Sequence, residues 1–260
     1  MDTEAAARTL AADRLAHRPF GGFGAGADGL DEATAYAIQA RLHRHLVGRD
    51  GVQVGWKIGC TTPVMQEFLA IDRPCAGRIR AGGLYQGSAD LAVADYARVG
   101  VECEIAVRLG RDLPASGRPW TRAAVGAAIG ACMAAIEIVD ERYVDYRTLG
   151  APSLIADDFF HAGCILGRPV ATVAPDALAA LTGRMVIDGV EVGSGRGAEI
   201  LGEPLAALEW LANGAATAET GLAAGEIVML GSLVRTHWPG PGSTVEIEIA
   251  QLGSVSARFH

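Results

Sequence analysis

The sequence has few of the features that mark a nucleic-acid-binding, secreted or membrane protein. Its formal net charge is −8 and no run of Lys or Arg stands out, so we expect no nucleic-acid partner. The five cysteines are odd in number and form no CxxC pair, and the acidic first residues lack the apolar segment of a secretory signal. We therefore expect free thiols and a cytoplasmic protein. The longest apolar run starts at Ala123, is about one turn too short for a bilayer span and leads into Glu137, so we expect no membrane partner.

Aromatic residues are also sparse, whereas glycine is abundant. Of the 260 residues, 34 are Gly, and 50% of the chain is hydrophobic and 20% charged. This composition is globular, and the length suffices for one large domain or for one domain with a small appendage. Many glycines indicate many tight turns, which favours a β-rich body.

Helical patterns dominate the first fifty residues. Residues 3–18 are Ala-rich with apolar residues at helical spacing, and Asp31 can cap a second helix that runs to about Val47. The glycine-rich break at residues 21–29 predicts a flexible connection, because no strand precedes it and its glycine spacing does not fit a nucleotide-binding loop. We therefore assign residues 1–50 to a helical N-terminal subdomain.

From residue 51 onward the pattern favours strands with few helices among them. Strands are predicted at residues 53–59, 84–93, 99–109, 136–139, 164–166, 184–187, 190–192, 227–231, 244–249 and 254–259. Helices are predicted from Thr62 or Pro63 to about Ala70, from Thr121 to about Ala134, and over residues 204–212. This order predicts an α+β protein in which the helical N-terminal part is followed by a rolled, mixed sheet over residues 51–260.

Two glutamates alternate along one predicted strand. Glu102 and Glu104 lie in the strand at 99–109, and side chains two residues apart on a strand project from the same face. They would also fit the solvated face of an edge strand, but adjacent carboxylates repel each other unless a cation or a proton lies between them. Glu137 lies in an otherwise apolar segment, where an unpaired charge is rarely buried. Together the three carboxylates predict an oxygen-rich metal site suited to Mg²⁺ or Mn²⁺.

A lysine lies in another apolar segment. Lys57 is flanked by Gly55 and Gly59, which let another chain or a ligand approach closely. A lone lysine of this kind often extends its ammonium group to the surface. The functional alternative is a lysine beside a bound cation, with a lowered pKa, that moves a proton.

Several short motifs follow one another along the chain. They are Gly55-Trp-Lys-Ile-Gly-Cys-Thr with Met65-Gln, Ile71-Asp-x-Pro74, Glu102-x-Glu-Ile-Ala, Leu109-Gly-Arg-Asp-Leu-Pro114, Ala135-Ile-Glu-Ile-Val-Asp140, Ile155-Ala-Asp157, Gly202-x-Pro-Leu205, Trp210-Leu-Ala-Asn213, Ala224-Gly-Glu-Ile227, Gly231-Ser-Leu233 and Leu252-Gly-Ser-Val-Ser256. In this order and spacing, from about residue 30 to the C-terminus, the series resembles the 2-keto-4-pentenoate (2-oxopent-4-enoate) hydratase family of the fumarylacetoacetate hydrolase superfamily.

The resemblance implies a fold and a site. The fold would be a helical N-terminal part and a mixed β-roll of the fumarylacetoacetate hydrolase C-terminal-domain type. The site would have Glu102, Glu104 and Glu137 as ligands of Mg²⁺ or Mn²⁺, and Lys57 as an acid/base or substrate-orienting group. The resemblance also implies a small-molecule 2-oxo acid substrate, a homo-oligomer, and a cytoplasmic role in the breakdown of aromatic ring-cleavage products.

The chain departs from the family pattern at two places. Cys75 stands where relatives usually carry an acidic residue, and residues 156–161 read Ala-Asp-Asp-Phe-Phe-His where relatives usually read Ala-Asp-Asn followed by small residues. Because that loop is expected near the substrate, Phe159, Phe160 and His161 should change the shape and polarity of the pocket. We predict His161 as a catalytic acid/base, with packing on the loop as the alternative. The substrate-binding residues predicted are Asp157, Phe160, Ser232 and Leu233.

The resulting hypothesis is a divalent-metal-dependent hydro-lyase. A metal chelates a 2-oxo acid, Lys57 moves protons between carbon positions, and water adds to the 2-oxo-enoate to give a 4-hydroxy-2-oxo acid. A decarboxylase or a tautomerase could use the same site. An alternative of another class is a non-catalytic partner subunit, although retained buried carboxylates would destabilise a fold that no longer binds metal.

Overall fold

Two β-sheets follow a pair of N-terminal helices in the computed structural model, which describes residues 1–24, 29–115, 117–171 and 173–260. Helix α1 (Thr3–Leu15) begins at Asp2, and α2 (Glu32–Asp50) begins at Asp31, whose side chain accepts a hydrogen bond from the amide of Thr34. Both predicted helices and the Asp31 cap are confirmed. The predicted flexible connection at 21–29 lies partly outside the described residues, because 25–28 are not described.

The larger sheet has seven strands in the order β2-β1-β10-β5-β6-β7-β3. Its strands are β1 (Gln53–Gly59), β2 (Cys75–Arg80), β3 (Leu84–Gln86), β5 (Val99–Leu109), β6 (Ile129–Asp140), β7 (His161–Leu166) and β10 (Ile227–His237). Pairing is parallel between β1 and β10 and between β3 and β7, and antiparallel elsewhere. Only the three residues Ala81–Gly83 join the two edge strands β2 and β3. Four Cα steps from Arg80 to Leu84 span about 14 Å at most, so the end of β2 lies close to the start of β3.

The smaller sheet has five strands in the order β4-β12-β11-β8-β9. They are β4 (Ser88–Leu91), β8 (Thr182–Ile187), β9 (Val190–Arg196), β11 (Thr244–Ile249) and β12 (Gly253–Phe259). This sheet packs on one face of the larger sheet, where Gly183 leaves room for Leu233 and Cys103: a Cβ there would lie 2.6 Å from Leu233 Cδ1. The expectation of helices followed by mixed sheet is confirmed in outline.

In the described part of the chain, four short α-helices connect the strands. They are α3 (Pro63–Leu69), α4 (Arg122–Gly126), α5 (Ala151–Ala156) and α6 (Pro204–Ala212). No helix in the described part of the chain combines the length and the apolar character needed to cross a membrane. The side chains of Val64 and Phe68 on α3 lie outside the described part.

The predicted helix from Thr121 to Ala134 is wrong in its second half. Helix α4 ends at Gly126 and strand β6 begins at Ile129, where it pairs with Leu109 of β5. The Ala-rich residues of this stretch have high helix propensity, but pairing along the whole length of β5 overrides it. The predicted strand at 84–93 is two strands, because Gly87 turns the chain between them with φ +72°. Strand β2 and helix α5 were not predicted.

A buried ionic network ties the N-terminal helices to the loop before β7. Arg14 of α1 donates from Nε to Asp157 Oδ1 at 2.7 Å and lies 3.2 Å from Asp158 Oδ2. His43 of α2 lies 2.6 Å from the same Asp158 oxygen, and Arg142 contacts Asp157 from the other side at 3.2 Å. These side chains are nearly all buried, so the network holds the loop rigidly against the helices.

Removal of Arg14 should therefore cost more stability than removal of a neighbouring exposed arginine. Arg14→Leu removes a buried cation from Asp157 and Asp158, which keep Arg142 and His43 as partners, so we expect the free energy of unfolding to fall by about 3 kcal/mol. Arg18→Leu is the matched control, because Arg18 is exposed and its pair with Asp13 should contribute less than about 1 kcal/mol. Denaturant unfolding of both variants measures the difference. Equal losses in the two variants would contradict the network's structural role.

Candidate metal centre

Three carboxylates converge on one face of the larger sheet. Glu102 of β5 is the direct cross-strand partner of Glu137 on β6, and Glu104 follows two residues along β5. One oxygen of each carboxylate lies within 4.8 Å of the others. The strand alternation that predicted a shared face for Glu102 and Glu104 therefore matches their geometry, and antiparallel register adds Glu137 to the pair.

The carboxylates have few protein donors for their number of oxygens. Glu104 and Glu137 are each 1% exposed, and Glu102 is half-buried. The Gly231 amide donates to Glu104 Oε2 at 3.0 Å, and the Thr236 hydroxyl donates to Glu102 Oε1. Among the described residues, no group donates to the buried Glu104 Oε1. A buried carboxylate oxygen without a donor indicates a missing ligand, and its chemistry fits a hard divalent cation.

The electrostatics also favour a cation at this point. Burial, followed by repulsion from Glu137, raises the pKa of Glu102 to about 7. Burial and the same neighbour raise the pKa of Glu104 well above its ordinary value. Burial would raise the pKa of Glu137 as well, but Lys57 and His161 hold it below its ordinary value. Two of the three carboxyls therefore resist ionisation in the protein alone, and a divalent ion would stabilise their charged forms.

Lys57 reaches the cluster from β1. Its Nζ lies 3.3 Å from Glu137 Oε1, and the side chain is 3% exposed, so it does not extend to the surface. Burial lowers the pKa of Lys57, but Glu137, Glu102 and Glu104 outweigh it and raise the pKa above the ordinary value. The sequence left open a lowered pKa for Lys57, but the protein residues alone raise it. The reason is that three carboxylates face one ammonium group.

His161, at the start of β7, contacts the same oxygen as Lys57. Its Nδ1 lies 2.8 Å from Glu137 Oε1, and the residue is 5% exposed. Burial lowers the pKa of His161, and Glu137 offsets only part of this effect. Burial therefore favours the neutral ring, and in that form Nδ1–H would donate to Glu137 Oε1.

The substituted loop places one phenylalanine in the site and turns the other away. Asp158, Phe159 and Phe160 all have positive φ, at 61°, 48° and 67°. The Phe159 ring lies 5.0 Å from Lys57 Nζ and packs so closely on Gly59 that a Cβ there would be 2.8 Å from the ring. Phe160 instead packs on the rings of Tyr143 and Tyr146, with centroids 4.7 and 5.5 Å away.

The other predicted substrate-binding residues lie beside the cluster or face away from it. Asp157 is buried in the ionic network with Arg14 and Arg142. Ser232 is the cross-strand partner of Glu104, but its hydroxyl donates to the Val234 carbonyl at 2.5 Å. Leu233 packs toward the smaller sheet. The structure thus brings Lys57 and His161 to the three glutamates, whereas Asp157, Phe160 and Leu233 point elsewhere.

Two contacts to the carboxylates were not predicted. Both come from β10: the Gly231 amide and the Thr236 hydroxyl. Register shifts between Met229 and His237 interrupt the pairing of β10 with β5, so simple alternation does not reveal which residues face the cluster. The fold requires glycine at position 231, because φ is +125° there and a Cβ would lie 2.1 Å from Thr61 Oγ1.

The chain is similar to several characterised proteins over most of its length. It is 36% identical over 233 residues to a 2-keto-4-pentenoate hydratase of Burkholderia vietnamiensis (strain G4 / LMG 22486), covering 89% of this chain and 87% of that protein. It is 31% identical over 234 residues to a 4-oxalocrotonate decarboxylase of a Pseudomonas species, covering 89% and 88% of the two chains. The predicted resemblance to hydratases, and with it the expectation of an enzyme, is confirmed.

A solved structure and a family model give the same result. The structure of 4-oxalocrotonate decarboxylase from Pseudomonas putida G7, complexed with magnesium and adipate, superposes with a TM-score of 0.90 at 26% identity and covers 99% of this chain and 97% of that one. The model for the fumarylacetoacetate (FAA) hydrolase C-terminal family matches residues 83–260, more than half of the chain. The chain therefore belongs to the fumarylacetoacetate hydrolase family.

Proposed function

We propose that the protein is a divalent-metal-dependent hydratase that converts a 2-hydroxy-dienoate, through its 2-oxo-enoate, to a 4-hydroxy-2-oxo acid. The observation that carries the proposal is the buried cluster of Glu102, Glu104 and Glu137 with Lys57 at 3.3 Å from one of its oxygens. Relatives at 30% identity or more that are named hydratases support this reaction.

The three glutamates would hold the metal, with Mg²⁺ or Mn²⁺ as the proposed ion. When bound, the metal supplies Lewis-acid polarisation of the substrate's carboxylate and 2-oxo oxygens. The donor set agrees with this assignment, because carboxylate oxygens without nitrogen or sulfur ligands suit hard divalent cations. The magnesium in the decarboxylase structure from P. putida G7 supports the same ion class.

Lys57 and His161 would move the protons. Ketonisation of the dienol removes a proton from the 2-hydroxyl group and adds one at the terminal alkene carbon, and Lys57 is the buried donor beside the cluster. Hydration then adds the oxygen of water to carbon 4 and a proton to carbon 3. Neutral His161, with Nδ1 engaged by Glu137, offers Nε2 as the base for that water. Glu137 orients both groups, because Lys57 and His161 meet at its Oε1.

A decarboxylase is the second candidate. It would lose CO₂ from the substrate to give a dienolate like the one that the hydratase protonates. The TM-score of 0.90 to a decarboxylase structure over 99% of the chain supports it. The Phe159 ring favours the hydratase, because Lys57 is the one lysine or arginine among the described residues that contacts the cluster, and it already pairs with Glu137. A second substrate carboxylate would therefore lack a free counter-charge there.

Phe159 should set substrate preference. Its ring beside Lys57 removes volume and polarity from the site, which fits a substrate with an apolar tail better than one with a second carboxylate. We also propose the β-roll form of the larger sheet, a division into a helical part at residues 1–50 and a catalytic part at 51–260, a homo-oligomer and a cytoplasmic setting. The three-residue link between the edge strands supports the roll.

Magnesium should stabilise the protein through Glu104. We expect Mg²⁺ to raise the melting temperature of the wild type, because a ligand that binds only the folded state stabilises it by mass action. Glu104→Gln should lose this response and should be at least as stable as the wild type without metal, since the amide replaces a buried carboxyl of raised pKa. Differential scanning fluorimetry with Mg²⁺ and with chelator measures both effects.

The matched control for this experiment is Glu246→Gln on the exposed face of β11, which should respond to Mg²⁺ like the wild type. A magnesium response that persists in Glu104→Gln would rule out the proposed centre. So would a wild-type melting temperature that neither Mg²⁺ nor chelator changes.

Substrate preference should depend on Phe159 and not on Phe160. With Mg²⁺, we expect the wild type to hydrate a 2-hydroxy-dienoate that carries an apolar tail faster than unsubstituted 2-hydroxypentadienoate, because the Phe159 ring fills the space beside Lys57. Phe159→Ala should shift the ratio of the two kcat/KM values about ten-fold toward the unsubstituted compound, the scale of one or two methylenes in an apolar pocket. Nuclear magnetic resonance of the products follows both reactions.

Phe160→Ala is the control, because the Phe160 ring packs on Tyr143, Tyr146 and the Phe159 ring rather than on Lys57. It should leave the kcat/KM ratio unchanged. An equal shift in both variants would remove Phe159 as the determinant of specificity. Products that have lost CO₂ from a dicarboxylic substrate, with no hydration of either dienoate, would support the decarboxylase instead.

A further inference from the structure

A second polar cavity lies between the N-terminal helices and the larger sheet. It has a volume of about 210 Å³, and its walls come from the ends of α1 and α2, from β2, from the turn before β3 and from the residues that follow β6. Six arginines line it: Arg14, Arg18, Arg49, Arg78, Arg80 and Arg142. None of Lys57, Glu102, Glu104 and Glu137 does, but His161 does, so the cavity adjoins the metal centre without including the three glutamates.

Five aspartates also line the cavity, namely Asp13, Asp50, Asp95, Asp140 and Asp158, but the arginines around Arg80 still have too few carboxylate partners. Asp50 accepts from Arg49 through both of its oxygens and also pairs with Arg80 at 2.5 Å. Arg14 and Arg142 are satisfied by Asp157 and Asp158. Arg80 therefore shares the Asp50 carboxylate with Arg49. Its second terminal nitrogen, Nη1, is buried and bonds to none of the described residues.

An unpaired guanidinium nitrogen is costly to bury. The Arg80 side chain is only 11% exposed. Burial lowers the pKa of Arg80 to about 10, and Asp158 offsets only part of this, while Arg14 adds to it by repulsion. The guanidinium fork is built to bind two oxygens of one carboxylate or phosphate group, and here one arm of that fork has no acceptor.

We propose that this cavity binds a small anion of the carboxylate or phosphate class, with Arg80 as its principal contact. The volume accommodates one phosphate group or one short dicarboxylate with its water. The rim arginines Arg18 and Arg49, whose side chains are 61% and 42% exposed, attract an anion to the opening. The bound anion would supply the acceptor that Arg80 Nη1 lacks among the described residues.

The site also lies behind the loop that shapes the metal centre. Asp158 and His161 both line the cavity, and Asp158 directly precedes Phe159. An anion here would contact the outer side of the same segment whose inner side meets Lys57 and Glu137. The cavity is thus placed to bind a ligand without displacing anything from the metal centre.

Isothermal titration calorimetry of the full chain with inorganic phosphate, and separately with succinate, tests the proposal at constant ionic strength. We expect one of the two anions to bind the wild type, and which one binds distinguishes a phosphoryl ligand from a carboxylate ligand. Arg80→Gln should weaken that binding about ten-fold or more, the scale of one lost charge-assisted hydrogen bond. Arg184→Gln, an exposed arginine of the smaller sheet, should bind like the wild type.

Two further measurements show whether the anion binds beside Arg80 or at the metal centre. Glu104→Gln should still bind the anion, and a crystal soaked in selenate should show the anomalous signal of selenium beside Arg80 even if Arg80→Gln folds poorly. Binding that is lost in Glu104→Gln but kept in Arg80→Gln would place the anion at the metal centre and overturn the proposal. Failure of the wild type to bind phosphate, succinate and selenate would overturn it equally.

Discussion

Three carboxylates buried side by side on two strands are the constraint to which the rest of the site responds. Like charges in a poorly solvated place raise each other's pKa, and Glu102 and Glu104 both show this effect. The surrounding fold supplies a lysine ammonium, a backbone amide and a hydroxyl, but Glu104 Oε1 still has no donor among the described residues. A divalent cation is the ligand that this arrangement fits.

The loop before β7 is the second determinant, and it is held in an unfavourable backbone conformation. Three consecutive non-glycine residues with positive φ cost of order 1–3 kcal/mol each. The buried contacts of Arg14, His43 and Arg142 with Asp157 and Asp158 offset that cost. The strained turn directs Phe159 at Lys57 and His161 at Glu137.

Much of this centre could be predicted from the sequence, because strand alternation is a local property. The shared face of Glu102 and Glu104 needed only the period of a strand, and Glu137 was recognisable as a charge in an apolar segment. The contribution of Thr236 could not be predicted, since bulges in β10 change which residues face β5. The early start of β6 was missed because pairing with β5 overrides an Ala-rich helical pattern.

A divalent cation at the three carboxylates, with Lys57 beside it, should promote enolisation of a 2-oxo acid. Enolisation exchanges the C3 protons of 2-oxopentanoate for deuterium in D₂O, which proton nuclear magnetic resonance follows. We expect the wild type with Mg²⁺ to accelerate this exchange and chelator to abolish the acceleration. Exchange that is equally fast with Mg²⁺ and with chelator would rule out a metal-dependent site.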